Sequence, residues 1–342
     1  MLVILLLAAM ACSAVAALAL MVMANNHRHR NRANNTGTNG PSNIDTGGDG
    51  GNAGNGGTFP AKVFSPYWDT SNESVKWQSC PAKFITLAFV LGDSSGTPMW
   101  NGTQPISAKA GLVNSIRSAG KDVIVSFGGQ AGTELGQVIT DVNKLAAAYT
   151  SVVEALDLTW IDLDIEGGTT SDTAAVTRRH KAIAKVQKAK PGLIVSYTLP
   201  VMPSGLPDAE VTFLKLAKDN GVRVDVVNIM AMDYGDSFKS NMGQYAIDAA
   251  TKTRSQLQGI GLSNTKIGIC PMIGVNDVQA EVFTVANARA VREFAQKTSW
   301  VRWLSFWSIN RDNDSNVPGE LYRSSGIKQK NWDFSSEFAK FA

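Results

Sequence analysis

Histidine and cysteine are scarce in this chain, with three of each among 342 residues. His27 and His29 lie in a polar stretch, and His180 sits inside Arg178-Arg179-His180-Lys181. No histidine is therefore placed for a Ser-His-Asp triad or a metal cluster. Cys12 falls in an apolar N-terminal run, which leaves Cys80 and Cys270. No CxxC exists, so zinc-finger and thioredoxin-like readings fail. A Cys80–Cys270 disulfide and two buried free thiols both remain open; the thiols fit better, because Cys270 lies inside an apolar run. Charge is also sparse. Charged residues make up 18% of the chain, and the formal net charge is +3. No basic run marks a nucleic-acid surface.

What is present falls into three parts. Residues 1–24 are apolar and uncharged, long enough as a helix to span a bilayer at about 1.5 Å per residue. The run lacks the basic start of an ordinary signal peptide. The basic residues Arg28, Arg30 and Arg32 come after it, a flank that the positive-inside rule would place in the cytoplasm. That conflicts with an extracellular role. A start codon further upstream, or a secretory segment cleaved near Ala14-Val15-Ala16, would remove the conflict. The expectation is secretion, with a membrane anchor and the catalytic domain outside as the alternative. Residues 25–58 become a Gly- and Asn-rich linker, and the folded domain is expected over 59–342.

From residue 59 two patterns alternate. Short β-branched or apolar runs occur at 62–65, 84–91, 122–127, 159–165, 193–199, 224–232, 266–272 and 302–309. Helical periodicity occupies 108–119, 142–156, 174–189, 209–220, 245–257 and 286–298. Such alternation implies parallel strands covered by helices, and eight strands in about 280 residues predict an α/β fold of the (β/α)8 TIM-barrel type. A doubly wound open sheet is the rival, but no GxGxxG follows the first strand.

The most informative segment is Trp160-Ile161-Asp162-Leu163-Asp164-Ile165-Glu166-Gly167-Gly168. Side chains of a strand alternate faces, so Asp162, Asp164 and Glu166 share one face and Ile161, Leu163 and Ile165 the other. In a barrel the apolar set packs on helices and the carboxylates point inward. Three inward carboxylates cannot all ionise comfortably at low dielectric, so at least one should hold a proton near neutral pH. A general acid needs that property. Glu166 stands at the C-terminal end of the strand, where barrel active sites lie. A solvated edge strand and a DxD metal site are the alternatives.

This DxDxE segment resembles the fourth-strand signature of glycoside hydrolase family 18. Val125-Ser126-Phe127-Gly128-Gly129 is similar to the third-strand SxGG motif, and Asn228-Ile229-Met230-Ala231-Met232-Asp233-Tyr234 to the sixth-strand Met-x-Tyr motif. Leu304-Ser305-Phe306-Trp307-Ser308 resembles the eighth strand, and Phe64-Ser65-Pro66-Tyr67 the first. The wording is like that of archaeal chitinase catalytic domains. One departure stands out: the longer pattern DxxDxDxE has an aspartate where this chain has Thr159.

The resemblance implies retaining hydrolysis of β-1,4 links next to N-acetylglucosamine, in chitin or chito-oligosaccharides, with the substrate's own acetamide as nucleophile. It implies that Glu166 protonates the leaving oxygen, that Asp164 accepts the acetamide N–H, and that Asp162 supports Asp164. Tyr234 is expected to donate to the acetamide carbonyl. If Met230-Ala231-Met232-Asp233 is instead the matching unit, Met232 takes that position; the register that keeps a phenol is preferred. Trp307 is expected as the floor under the scissile sugar, with a core tryptophan as the alternative. Gly128 and Gly129 allow close approach of the chain. Met232, Asp233, Tyr67 and Asp277 are expected substrate contacts, although Asp277 also reads as a turn residue. Trp68 and Trp100 are further cleft candidates. No cofactor and no metal are expected, and the chain is expected to be a monomer. No insertion domain is visible between the later strands, which predicts an open cleft and endo cleavage. An endo-β-N-acetylglucosaminidase acting on glycans, and a non-catalytic chitin-binding lectin, are the competing functions.

Overall fold

The computed structural model describes residues 59–342 except 73, 74, 316 and 318. The expectations for residues 1–24 and 25–58 lie outside the described residues. Eight strands run in chain order: β1 (Val63–Phe64, continued at Tyr67–Asp69), β2 (Phe84–Gly92), β3 (Asp122–Gly128), β4 (Trp160–Asp164), β5 (Ile194–Pro200), β6 (Val226–Met230), β7 (Lys266–Cys270) and β8 (Val301–Leu304). Each overlaps one of the eight runs read from the sequence, but the second half of β1, Tyr67–Asp69, lies beyond the run at 62–65. Neighbours from β2 to β8 pair in parallel. The ring closes through β1, whose first half pairs with Trp303 and Leu304 and whose second half pairs with Thr86 to Ala88. The TIM barrel expected from the alternation is therefore the fold.

Helices α1 (Ala110–Ser118), α2 (Leu135–Val138), α3 (Val142–Ala155), α4 (Thr173–Ala189), α5 (Asp208–Asp219), α6 (Met242–Gly259), α7 (Val285–Lys297) and α8 (Asp333–Phe338) follow the strands. Asp141, Asp172 and Thr284 cap α3, α4 and α7 by accepting from backbone N–H groups of the first turn, which satisfies donors that have no intrahelical acceptor. Among the described residues, the segment between β1 and β2 carries a single 3₁₀ turn, Trp77–Ser79. The short helices α2 and α8 were not legible, because four and six residues give too little periodicity.

The core has two layers, as alternation on β4 demands. Ile161, Leu163 and Ile165 join the shell between strands and helices, together with Val152, Val176 and Ile183. Inside the barrel, Phe59, Trp160 and Trp303 close the N-terminal end, with Phe59 to Trp160 at 5.0 Å and Trp160 to Trp303 at 5.4 Å. Cys80 and Cys270 are buried free thiols. Trp68 and Trp100 are 2% and 0% exposed and belong to the packed core, so they do not line the cleft.

His180 is wholly buried, edge-on to Phe213 at 4.5 Å. Burial, helped by the adjacent Arg179 charge, pushes its imidazole down to about 3, so it stays neutral at ordinary pH. Arg179, whose guanidinium also lies over the Phe213 ring at 6.0 Å, pairs with Glu134 at 2.7 Å. Glu134 also accepts from Tyr149 Oη and from the Gly136 backbone, each at 2.7 Å. The Glu134 oxygens are thus all hydrogen-bonded, which offsets the burial of its charge, while Arg179 Nε and Nη1 are buried without a hydrogen-bond partner among the described residues. It anchors the loop that leaves β3 and carries Gln130 to the barrel mouth.

Candidate active site

The middle of the barrel is polar. Asp162 is fully buried, and its register partners are Ser126 on β3 and Ser196 on β5. Its Oδ2 accepts from Tyr67 Oη at 2.9 Å and Ser126 Oγ at 2.7 Å. Its Oδ1 accepts from Ser196 Oγ at 2.6 Å and Thr198 Oγ1 at 2.9 Å. Four hydroxyl donors make a buried carboxyl affordable. Burial still holds it above the ordinary carboxylate range, with these hydrogen bonds pulling the other way. Tyr67 is thereby placed as a support for Asp162 as well as a wall of the cavity above it.

That cavity, about 150 Å³, opens at the C-terminal ends of the strands. Asp164, Glu166, Trp307, Tyr67, Met232, Asp233 and Asp277 all line it, which brings together seven of the residues singled out in the sequence. Asp164 and Glu166 meet there and shift each other's proton affinity, and Asp164 Oδ1 is buried without a hydrogen-bond partner among the described residues. Burial, then the Glu166 and Asp162 charges, hold the Asp164 carboxyl well above its ordinary range. Glu166 is raised chiefly by burial; the interaction with Asp164 pulls it down, and the Asp233 and Asp277 charges add to the rise. The pair therefore retains a proton where free carboxylates have lost theirs.

Gly128 and Gly129 are required sterically. Gly128 is the register partner of Asp164 and has φ +100°; a Cβ there would lie 2.1 Å from the Asp164 carbonyl oxygen. At Gly129, with φ +85°, a Cβ would lie 2.7 Å from the Phe89 ring. The Gly129 N–H donates to the same Asp164 carbonyl at 2.9 Å. The two glycines thus bring β3 against the acidic strand and leave room for the Phe89 ring, which stacks on Trp307 at 5.6 Å and 14°.

Tyr234 is the residue the structure does not bring to the cavity. Strand β6 ends at Met230. The chain then turns: Met232 N–H bonds Met230 O at 2.9 Å, and Asp233 has φ +53°. Alternation beyond Met230 is broken, so Met232 and Asp233 face the cavity and Tyr234 packs beside Phe238 and Tyr245. Its hydroxyl is buried without a hydrogen-bond partner among the described residues. Met232, the residue of the alternative register, lines the cavity.

Phe89, Gln130, Thr198, Met230, Cys270 and Met272 line the cavity without having been singled out. Position at a strand end was the available signal for Thr198, Met230 and Cys270. A register shift between Leu87 and Val90 hides Phe89 from simple alternation. Asp233 and Asp277 are tied together through the loop after β7: Asp233 Oδ1 accepts the Val278 N–H at 2.8 Å, and Glu281 accepts the Gly235 N–H at 2.7 Å.

The chain is similar to known proteins. The family model for Glycosyl hydrolases family 18 matches residues 63–299. A probable bifunctional chitinase/lysozyme of Escherichia coli (strain K12) is 33% identical over 312 residues, covering 83% of this chain and 35% of that protein. Endochitinase 11 of Metarhizium anisopliae is 34% identical over 279 residues, covering 74% of this chain and 53% of that protein. The chain thus spans about a third and about half of these two relatives. Among solved structures, catalytic site mutants of active domain 2 of a thermostable chitinase from Pyrococcus furiosus, complexed with chito-oligosaccharides, superpose with a TM-score of 0.77 at 32% identity, over 83% of this chain and 95% of that one. With the family model spanning the barrel from β1 to the end of α7, the chain belongs to Glycosyl hydrolases family 18.

Proposed function

We propose that this chain is a chitinase that hydrolyses β-1,4-N-acetylglucosamine linkages with retention, using the substrate's acetamide oxygen as nucleophile. The observation that supports this reading is the meeting of the Asp164 and Glu166 carboxyls, both raised by burial, in a cavity walled by Trp307. Glu166, held protonated, gives its proton to the leaving glycosidic oxygen. Asp164, then ionised, accepts the acetamide N–H and faces the cationic ring formed as the acetamide oxygen attacks the anomeric carbon. A carboxylate fixed beside developing positive charge lowers that barrier. Asp162 is out of reach of substrate, because all its donors come from within the barrel. Its role is to hold the Asp164 strand and add negative potential. Water entering from the opened side, deprotonated by Glu166, completes the cycle with retained configuration.

The apolar faces of Trp307 and Phe89 suit the C–H face of a pyranose. The two relatives named for chitinase activity, and the Pyrococcus furiosus chitinase domain complexed with chito-oligosaccharides, support the substrate class. The strands Pro98–Trp100 and Gln104–Pro105 follow β2 and the hairpin of Gly274–Val275 with Val282–Phe283 follows β7, and among the described residues neither forms a separate insertion domain. That favours an open cleft and endo action on a secreted or cell-surface substrate. The whole domain, 59–342, is the catalytic unit in this reading. The test is Glu166→Gln: kcat on chitohexaose should fall by about 10²–10⁴-fold, the range for loss of a general acid, while binding of the oligosaccharide is retained. Unchanged turnover would remove Glu166 from the chemistry.

A further inference from the structure

A second concavity, of about 510 Å³, lies beside the catalytic cavity on the barrel rim. Lys76, from the segment after β1, and Ile309, Asp314, Ser315, Asn331 and Trp332, from the segments after β8, are among its walls. The two cavities are one hydrogen-bonded residue pair apart. Ile309 N–H donates to the Tyr67 carbonyl at 2.8 Å, and Tyr67 lines the first cavity while Ile309 lines the second.

The second concavity has a fixed floor and free polar groups. Trp332 is half-buried, and its indole N–H is held by Ser79 Oγ at 3.0 Å. Asp312 fastens the start of α8 by accepting from the Phe334 and Ser335 N–H groups at 3.2 and 2.7 Å, while its carbonyl accepts the Trp332 N–H at 3.0 Å. The ring is thus set on rigid backbone. Around it, the Lys76 ammonium, the Asp314 carboxylate and the Ser315 hydroxyl make no side-chain bond among the described residues. Asn331 uses only its Oδ1, to the Asp314 N–H at 3.3 Å, which leaves its amide donors available.

That composition selects a class of ligand. One free ammonium and one free carboxylate balance, the Arg323 charge is taken by Glu320, and the Asp312 carboxylate, which also lines the concavity, is taken by the Phe334 and Ser335 N–H groups and by Gln329, so the site is neither an anion nor a cation receptor. Among the described residues no group of three or more acidic, His or Cys side chains could hold a metal ion. An aromatic face ringed by separate donors and acceptors matches a neutral ring bearing hydroxyl and amide groups on its edge and C–H groups on its face. We propose that this concavity is a second sugar-binding site, which holds a stretch of β-linked N-acetylhexosamine polymer apart from the stretch being cut. The identity of the sugar rests on the function proposed above; the existence of the site rests on the cavity and its side chains.

The experiment is a calorimetric titration of the full chain carrying Glu166→Gln with chitotriose, with and without Lys76→Ala and Asp314→Ala. Neither of these two side chains has an internal partner, so the fold is retained, and an unchanged melting temperature verifies it. The parent should bind two chitotrioses per chain and the double variant one, or two with the weaker site lowered about tenfold, as loss of charge-assisted hydrogen bonds worth about 1.4 kcal/mol requires. With Glu166 intact, the double variant should release less product from insoluble chitin while its turnover of soluble chitotriose is unchanged. A single site in the parent, or two sites indifferent to the double substitution, overturns the inference. Absence of chitotriose turnover by the native chain would count against the proposed activity alone, because the titration decides the second site without catalysis.

Discussion

Asp164 turns its carboxyl to Glu166, two residues ahead on the same face, while Asp162, two residues behind, spends both oxygens on four hydroxyl donors. One strand thus holds three carboxyls in two environments: one buried and saturated with hydroxyl donors, and two meeting at the cavity with raised proton affinity. The difference follows from register. Asp162 lies between Ser126 and Ser196, whereas Asp164 lies between Gly128 and Thr198, so only Asp162 has a hydroxyl side chain opposite it on both neighbouring strands.

This arrangement costs stability at neutral pH. A carboxyl whose folded pKa is raised binds its proton more tightly in the native than in the unfolded chain. Stability is then greatest below the unfolded value, 3.8 for Asp164, and declines as pH rises towards the folded value. Asp164→Asn should therefore melt at a higher temperature than the parent at pH 7 and at the same temperature near pH 3, although its kcat on chitohexaose falls by about 10²-fold or more. Thermal melts at the two pH values check this; an Asn variant less stable at pH 7 would contradict it.

Glu166 is raised by burial and then by the Asp233 and Asp277 charges. Removing two nearby negative charges makes loss of its proton easier. The alkaline limb of kcat/KM, which reports the acid in the free enzyme, should lie above the ordinary carboxylate range in the parent. It should move to lower pH in Asp233→Asn/Asp277→Asn. A limb that stays in place would show that these aspartates bind substrate without tuning the acid.

Tyr234 separates what alternation predicts from what the turn after β6 imposes. Its hydroxyl is buried and unpartnered among the described residues, and removing such a group is close to neutral or stabilising. Tyr234→Phe should leave kcat within about twofold and stability unchanged or higher by on the order of 1 kcal/mol. A large loss of kcat would restore the tyrosine to the site.

The sequence was readable wherever a regular strand ran through the site. Ile161, Leu163 and Ile165 against Asp162, Asp164 and Glu166 is a period of two that has one interpretation in a barrel. The spacing of the eight strands and the helices between them placed Glu166 and Trp307 at the same end of the barrel. Legibility stopped where the backbone left regular geometry. Asp233 adopts a left-handed conformation, β2 shifts register near Phe89, and the first strand is divided between two pairings. Trp68, Trp100 and Trp307 look alike as letters; only their positions relative to the barrel axis separate two core rings from the one in the cavity. The opposition of Lys76 and Trp332 across a second concavity depends on segments more than two hundred residues apart, which no local pattern encodes.

The central claim, that the acetamide of the substrate is the nucleophile for the Asp164–Glu166 pair, is tested most directly by product analysis. The purified domain from Phe59 onward is incubated with chitohexaose and, separately, with the fully deacetylated hexamer. The account predicts cleavage of the acetylated hexamer and none of the deacetylated one. Comparable cleavage of both would contradict it, because hydrolysis would then proceed without the group assigned to attack.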